Sequence, residues 1–221
     1  MRHMRALGSL SELIFPVRCL GCSVLGIEIC SRCRASWSHH IYRTTTYESG
    51  KEFPIYSAVL YSAVAGKVLM KSKEDALTVA DNLIISSIAH ALSYFEKEVG
   101  TGYLVPTPSR VSASRKRGRK YINAMIEGCG IVPLDLLIHT RAVRDQSKLD
   151  AHQRQENLNG ALFINPARTS KTNRAPSEIP VIVIDDLVTT GATLSEAVRA
   201  LHAGGFRVLG SVTACLAKPV R

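Results

Sequence analysis

One segment constrains this chain more than any other: residues 181–194, which read Val-Ile-Val-Ile-Asp-Asp-Leu-Val-Thr-Thr-Gly-Ala-Thr-Leu. Four β-branched residues in a row predict a short buried strand over 181–184. Two carboxylates, Asp185 and Asp186, close it. A polar turn follows, with Thr189, Thr190, Gly191 and Thr193, and then an apolar-periodic helix over 194–202. Gly204 and Gly205 end that helix. A strand, a turn and a helix in that order make half of a parallel α/β unit, and open parallel sheets place their ligand sites beyond the carboxyl ends of strands.

The turn suits an anion. A helix N-terminus leaves N–H groups unpaired and carries partial positive charge, so it attracts phosphate. Gly191 allows close backbone approach, and the threonines add hydroxyl donors. The expected phosphate-binding set is Val188, Thr189, Thr190, Gly191, Ala192 and Thr193, with Asp185 and Asp186 as acceptors for two adjacent ribose hydroxyls. The plainer alternative is an ordinary strand–turn–helix with Thr190 or Thr193 as N-cap. A Walker loop is excluded, because the Gly-Lys-Ser/Thr ending is missing.

The second strong pattern is Cys19-Leu-Gly-Cys22 and Cys30-Ser-Arg-Cys33, a C-x2-C-x7-C-x2-C quartet. Two such knuckles can close a tetrahedral thiolate site whose usual occupant is Zn²⁺. A structural metal would order some forty residues that have little core of their own. Iron–sulfur ligation and redox cysteines remain alternatives, and His39 and His40 are possible substitute ligands. Cys129 and Cys215 read as small apolar residues.

The rest of the chain divides accordingly. Residues 1–41 form the cysteine module. Residues 42–54 are polar, lack periodicity and read as a linker. Residues 55–221 read as one α/β domain, a mainly parallel sheet flanked by helices. Strands are expected over 55–61, 103–105, 134–138 and 207–216, and helices over 76–98 and 112–128. Residues 167–178 read as a mobile loop. Aromatics make up only 6% of the chain, which suits an aliphatic core of parallel strands.

The formal charge of +10 points towards phosphorylated partners, although basicity alone can simply serve solubility. No secretory signal or membrane-spanning run is visible, so a cytoplasmic protein without membrane insertion is expected. Arg110, Arg115, Lys116, Arg117, Arg119 and Lys120 crowd the region after the turn Pro106-Thr107-Pro108-Ser109. They are either a solvated face or a positive rim beside the phosphate turn. Single-stranded nucleic acid is another possible ligand of that rim, though few aromatics interleave to stack bases.

The string from strand to helix resembles the phosphoribosyl pyrophosphate (PRPP) signature of type I phosphoribosyltransferases. The order of all these pieces resembles the ComF family, amidophosphoribosyltransferase-like proteins linked to DNA uptake. Phe15-Pro16 precede the quartet, as the family's Phe-Pro does. Met70-Lys71-Ser72 is similar to its Leu-Lys-Tyr element, and Val105-Pro106-Thr107-Pro108 to its Val-Pro-Val-Pro turn. Arg117-Gly118-Arg119-Lys120-Tyr121 stands where the family has Arg-Gly-Phe-Asn-Gln. Gln146, Leu149, Arg154 and Asn157 match a further element.

The resemblance implies a type I phosphoribosyltransferase fold that binds PRPP or ribose 5-phosphate with Mg²⁺. It places Lys71, Thr107, Arg119 and Lys120 on the pyrophosphate side. It assigns no catalytic residue. Thr189 stands where purine-salvage enzymes carry an Asp, which argues against that acceptor class. Two departures weaken the match on the pyrophosphate side, Ser72 for Tyr and Arg-Lys-Tyr for Phe-Asn-Gln. A non-catalytic alternative is a single-stranded nucleic-acid-handling protein that docks to a competence helicase.

Overall fold

The computed structural model describes residues 16–109, 118–139, 159–169 and 174–217. Along the chain the elements are α1 (Ser31–Ala35), β1 (Tyr42–Glu48), β2 (Lys51–Leu60), α2 (Ala63–Asp75), α3 (Thr78–Glu98) and β3 (Tyr103–Pro106). They continue with α4 (Tyr121–Gly128), β4 (Leu137–His139), β5 (Leu162–Ile164), α5 (Pro166–Thr169), β6 (Pro180–Val188), α6 (Ala192–Ala203) and β7 (Arg207–Leu216). Five strands form one sheet in the order β1-β2-β7-β6-β3. Only β1 runs antiparallel to its neighbour; β2, β7, β6 and β3 are mutually parallel. The fold is therefore α/β, with a mainly parallel sheet.

Alternation along β6 shows why the β-branched run is a central strand. Ile182 and Ile184 face a core built with α2, α3 and α4, and Val181 and Val183 face a second core built with α6 and the β4–β5 pair. Both faces are covered, so the strand reads as a continuous apolar run rather than as an alternation. Leu104 and Val105 of β3 divide between the same two cores. The helix following β3, α4, packs on one face, whereas the helix following β6, α6, packs on the other. Adjacent strand ends that lead to opposite faces open a crevice between them, the usual ligand position in such sheets.

The 42–54 segment is not a linker. It forms β1 and the start of β2, a hairpin closing one edge of the sheet. Its turn is Ser49-Gly50, with φ +50° and +78°, the two-residue geometry that matches strand twist. The strand is polar because it is an edge: of its seven residues only Thr46 is buried, so no apolar alternation marks it. Its Thr and Tyr residues nevertheless favour extended backbone.

Other boundaries shift. The helix expected over 76–98 begins at Thr78, and a separate helix, α2, precedes it behind the N-cap Ser62, whose hydroxyl accepts from the Ala65 N–H at 3.1 Å. Of the stretch expected as helix 112–128, residues 112–117 lie outside the described residues; among the described ones α4 covers Tyr121–Gly128, and Gly118, with φ +68°, lies in the turn before it. The expected loop 167–178 includes part of α5 and a 3-10 turn, Pro176–Glu178. Arg110, Arg115, Lys116, Arg117, Gln146, Leu149, Arg154 and Asn157 lie outside the described residues. Among the described residues no single helix is long and apolar enough to cross a membrane; α2 and α3 pass that test only as a pair bent by 115°.

The cysteine module does not stand apart. Cys19, Leu20, Ile29, Cys33 and Trp37 belong to the same core as α2, α3 and α4. Trp37 Nε1 donates to Ser87 Oγ of α3 at 3.0 Å, and Lys67 of α2 donates to the Gly21 carbonyl at 2.6 Å.

Candidate functional site

β6 carries its two acids at the end where strand order opens the crevice. Successive strand residues point to opposite faces, so the two carboxylates diverge. Asp185 is buried; its Oδ1 accepts from Thr107 Oγ1 at 2.9 Å and from the Asp186 N–H at 2.9 Å. Asp186 turns to the other face, where its Oδ2 accepts from Lys73 Nζ at 3.0 Å. Burial pushes the Asp185 carboxyl up to about 7, and the neighbouring Asp186 charge adds to this. Lys73 and the Thr107 hydroxyl oppose the shift without cancelling it.

Asp185 and residues 187–194 line a small concavity. Thr189 and Thr190 are exposed there, while Ala192 and Thr193 are partly buried. Gly191 sits at φ +77° as the N-cap of α6. A side chain there would be strained by the backbone angle, and its Cβ would come within 3.3 Å of Thr46 Oγ1. The Ser195 N–H makes the first helical bond, to the Gly191 carbonyl at 2.8 Å, so the helix N-terminus is directed at the concavity. The hairpin backs this turn: Ser195 Oγ donates to the Tyr47 carbonyl at 2.7 Å. The arrangement offers backbone donors, hydroxyls and a helix terminus to one oxyanion, with a carboxylate at its base.

The remaining candidates divide. Thr107 joins the acid pair directly. Lys71 is exposed and pairs with Asp75 at 2.7 Å, one turn along α2. Arg119 forks onto both oxygens of Asp81, at 2.7 and 3.1 Å, and also donates to the Ser72 carbonyl. Lys120 and Arg168 both pair with Asp135. Lys73 and Tyr121 are the residues that sequence reasoning missed beside the acid pair. A lysine on the last turn of a helix looks like any solvated cation, and Tyr121 stood out only as a departure from a pattern.

The four cysteines do come together. Their Sγ atoms all lie within 4.8 Å of one another, and Cys22 Sγ and Cys30 Sγ are 3.7 Å apart. Zn–S bonds of about 2.3 Å in a tetrahedron set sulfurs about 3.8 Å apart, so the donor set fits one Zn²⁺. The backbone supports thiolate here: the Cys30 N–H donates to Cys19 Sγ at 3.3 Å. Burial tends to raise the Cys19 thiol, but the N–H groups of Cys30, Cys22 and Gly21 outweigh it and bring it down to about 6. Cys33 is pushed up to about 12, by burial first and then by the neighbouring sulfurs, as expected when one sulfur cluster cannot ionise fully without a cation. His39 and His40 lie elsewhere: His39 Nε2 bonds Ser87 Oγ at 3.0 Å, and His40 meets the edge of Tyr42.

Comparison with known protein families and with curated proteins finds no match to this chain.

Proposed function

We propose that this chain binds PRPP in the crevice at the end of β6, as a phosphoribosyltransferase-like protein of the ComF type carrying a structural zinc. The observation that carries this reading is the convergence at one strand end of Asp185, the 187–193 turn and the N-terminus of α6. In this reading the turn's N–H groups and threonine hydroxyls take the 5-phosphate. Asp185 and Asp186 serve the ribose hydroxyls.

The reaction class is displacement at ribose C1: a nucleophile bonds to C1 while the C1–O bond breaks, its electron pair leaving with pyrophosphate. Positioning and charge stabilisation dominate such a step. Mg²⁺, when bound with the ligand, would neutralise the pyrophosphate. Arg119 and Lys120 are matched by Asp81 and Asp135 in this state, so their service to a leaving group requires exchange of partners. The family resemblance sets this chemistry in DNA uptake.

Isothermal titration with PRPP and Mg²⁺ tests the assignment. Asp186→Ala and Thr190→Ala are each expected to weaken binding about tenfold or more, the loss of a charge-assisted or charge-directed hydrogen bond. Unchanged affinity in both variants would sink the reading. Single-stranded DNA titrated in parallel, at two salt concentrations, separates a phosphate-backbone ligand from a nucleotide-sized one.

A further inference from the structure

The polar side chains behind Asp186 form one directed chain. Ser72 Oγ donates its single hydrogen to Asp81 Oδ1 at 2.6 Å. The Tyr121 hydroxyl, 2.9 Å from Ser72 Oγ, must therefore be the donor in that pair. Asp81 is held in turn by the Arg119 fork. Tyr121 is fully buried, and burial foremost, with the nearby Asp186 charge, drives its hydroxyl far above the ordinary range, so it stays protonated. Two cations address its ring: Lys73 Nζ lies 5.5 Å from the ring centroid and Arg119 Cζ 5.3 Å. Each has its own carboxylate, Asp186 for Lys73 and Asp81 for Arg119.

We propose that Tyr121 is a positioning residue for the acid pair, its locked ring holding Lys73 as the fixed counter-charge of Asp186. A lysine stem is flexible, and the Lys73 side chain is 41% exposed, so its ion pair with Asp186 is weakened by solvent. The quadrupole of a desolvated ring gives the ammonium a second anchor. The ring cannot turn away, because Ser72, itself wholly buried, fixes its hydroxyl. The Lys73 charge opposes the upward push that burial and the Asp186 charge give the Asp185 carboxyl, so losing it would raise Asp185 further. The bearing of this device on ligand binding rests on the reading given above; the placement of Lys73 does not.

Among the described residues, the groups facing the acid pair are Lys73 from α2, Tyr121 from α4, Thr107 after β3 and Cys215 from β7, with Asp81 of α3 and Arg119 one contact further out. The test follows the aspartate carboxyl carbons by NMR through a pH titration of the full-length, metal-loaded protein without ligand. Lys73→Ala is expected to move the Asp185 titration upward by about one pH unit, and Lys73→Arg to restore it. Tyr121→Leu is expected to move it the same way, and the double variant Lys73→Ala/Tyr121→Leu no further than Lys73→Ala alone. A merely structural role for Tyr121 leaves the titration where it was.

An Asp185 carboxyl that titrates as in the wild type in Tyr121→Leu, or in Lys73→Ala, overturns the proposal. Should Tyr121→Leu not fold, the wild-type protein decides: nuclear Overhauser contacts between the Lys73 ε-protons and the Tyr121 ring support the placement, and their absence overturns it. PRPP affinity at pH 7, measured with Mg²⁺, is expected to fall about tenfold in both single variants. A wild-type protein that does not bind PRPP removes the proposed function, and the carboxyl titrations still decide the role of Tyr121.

Discussion

The cysteine knuckle and the β6–α6 unit solve the problem of order by different means. β6 buries six consecutive residues, Val181 to Asp186, against helices on both faces. The knuckle sends four residues inward, Cys19, Leu20, Ile29 and Cys33, while Val17, Val24, Leu25 and Ile27 remain exposed. What it concentrates is sulfur, four Sγ atoms within 4.8 Å. One region is held by apolar area removed from water, whereas the other gathers four sulfurs that could hold a metal. The stresses that damage the two should therefore differ.

Metal removal gives the largest separation. A strong chelator, or Cys19→Ser, is expected to disorder residues 18–33, because structural zinc contributes on the order of 10 kcal/mol to small cysteine sites. Hydrogen exchange should show lost protection there and retained protection in β6 and β7. If β6 opens together with the knuckle, the two regions are one cooperative unit and the contrast fails. Elemental analysis of the untreated protein should find one zinc per chain.

A smaller effect runs the other way. Ile184→Ala, in the centre of the sheet, is expected to cost about 2–5 kcal/mol, read as a lower urea midpoint, while zinc content stays at one per chain. Loss of zinc in that variant would show that the knuckle leans on the sheet more than on its own ligands.

The smallest and most specific effect is in pH. Asp185 titrates at about 7 in the fold but near 3.9 when unfolded. The native state therefore holds the extra proton, and this group's contribution to stability declines as pH rises from about 4 to about 7. Asp185→Asn is expected to gain on the wild type as pH is raised from 6 to 8, measured by urea midpoints. The knuckle responds with the opposite sign, since acid protonates thiolates and releases metal. Equal pH slopes in wild type and Asp185→Asn would place the titrating group elsewhere.

The two regions were also unequally legible. The β6–α6 unit announces itself because Val-Ile-Val-Ile admits few readings and Gly191 marks the turn. The quartet is legible from spacing alone, and its sulfurs do converge. The hairpin was missed because an edge strand facing water, such as Tyr42–Glu48, carries no apolar period. The Ser49-Gly50 turn was the available signal. The partners of the acid pair were illegible for another reason. Lys73 is brought to Asp186, Tyr121 to Lys73, and Asp81 to Ser72 behind them, by three separate helices, and no local pattern encodes a meeting of that kind. The same holds for Arg119, a member of a basic run whose charge turns inward to Asp81 rather than outward.

The Trp37 contact bears on how the chain can be divided. Its indole is buried and its N–H donates to Ser87, fifty residues further along the chain. A protein begun at residue 42 would leave a large apolar socket on α3 open to solvent, and Ser87 without its donor. Such an exposed socket is a sticky surface, so the shortened chain should self-associate even though every strand of the sheet is intact. The cysteine module thus covers one of the helices that flank the sheet.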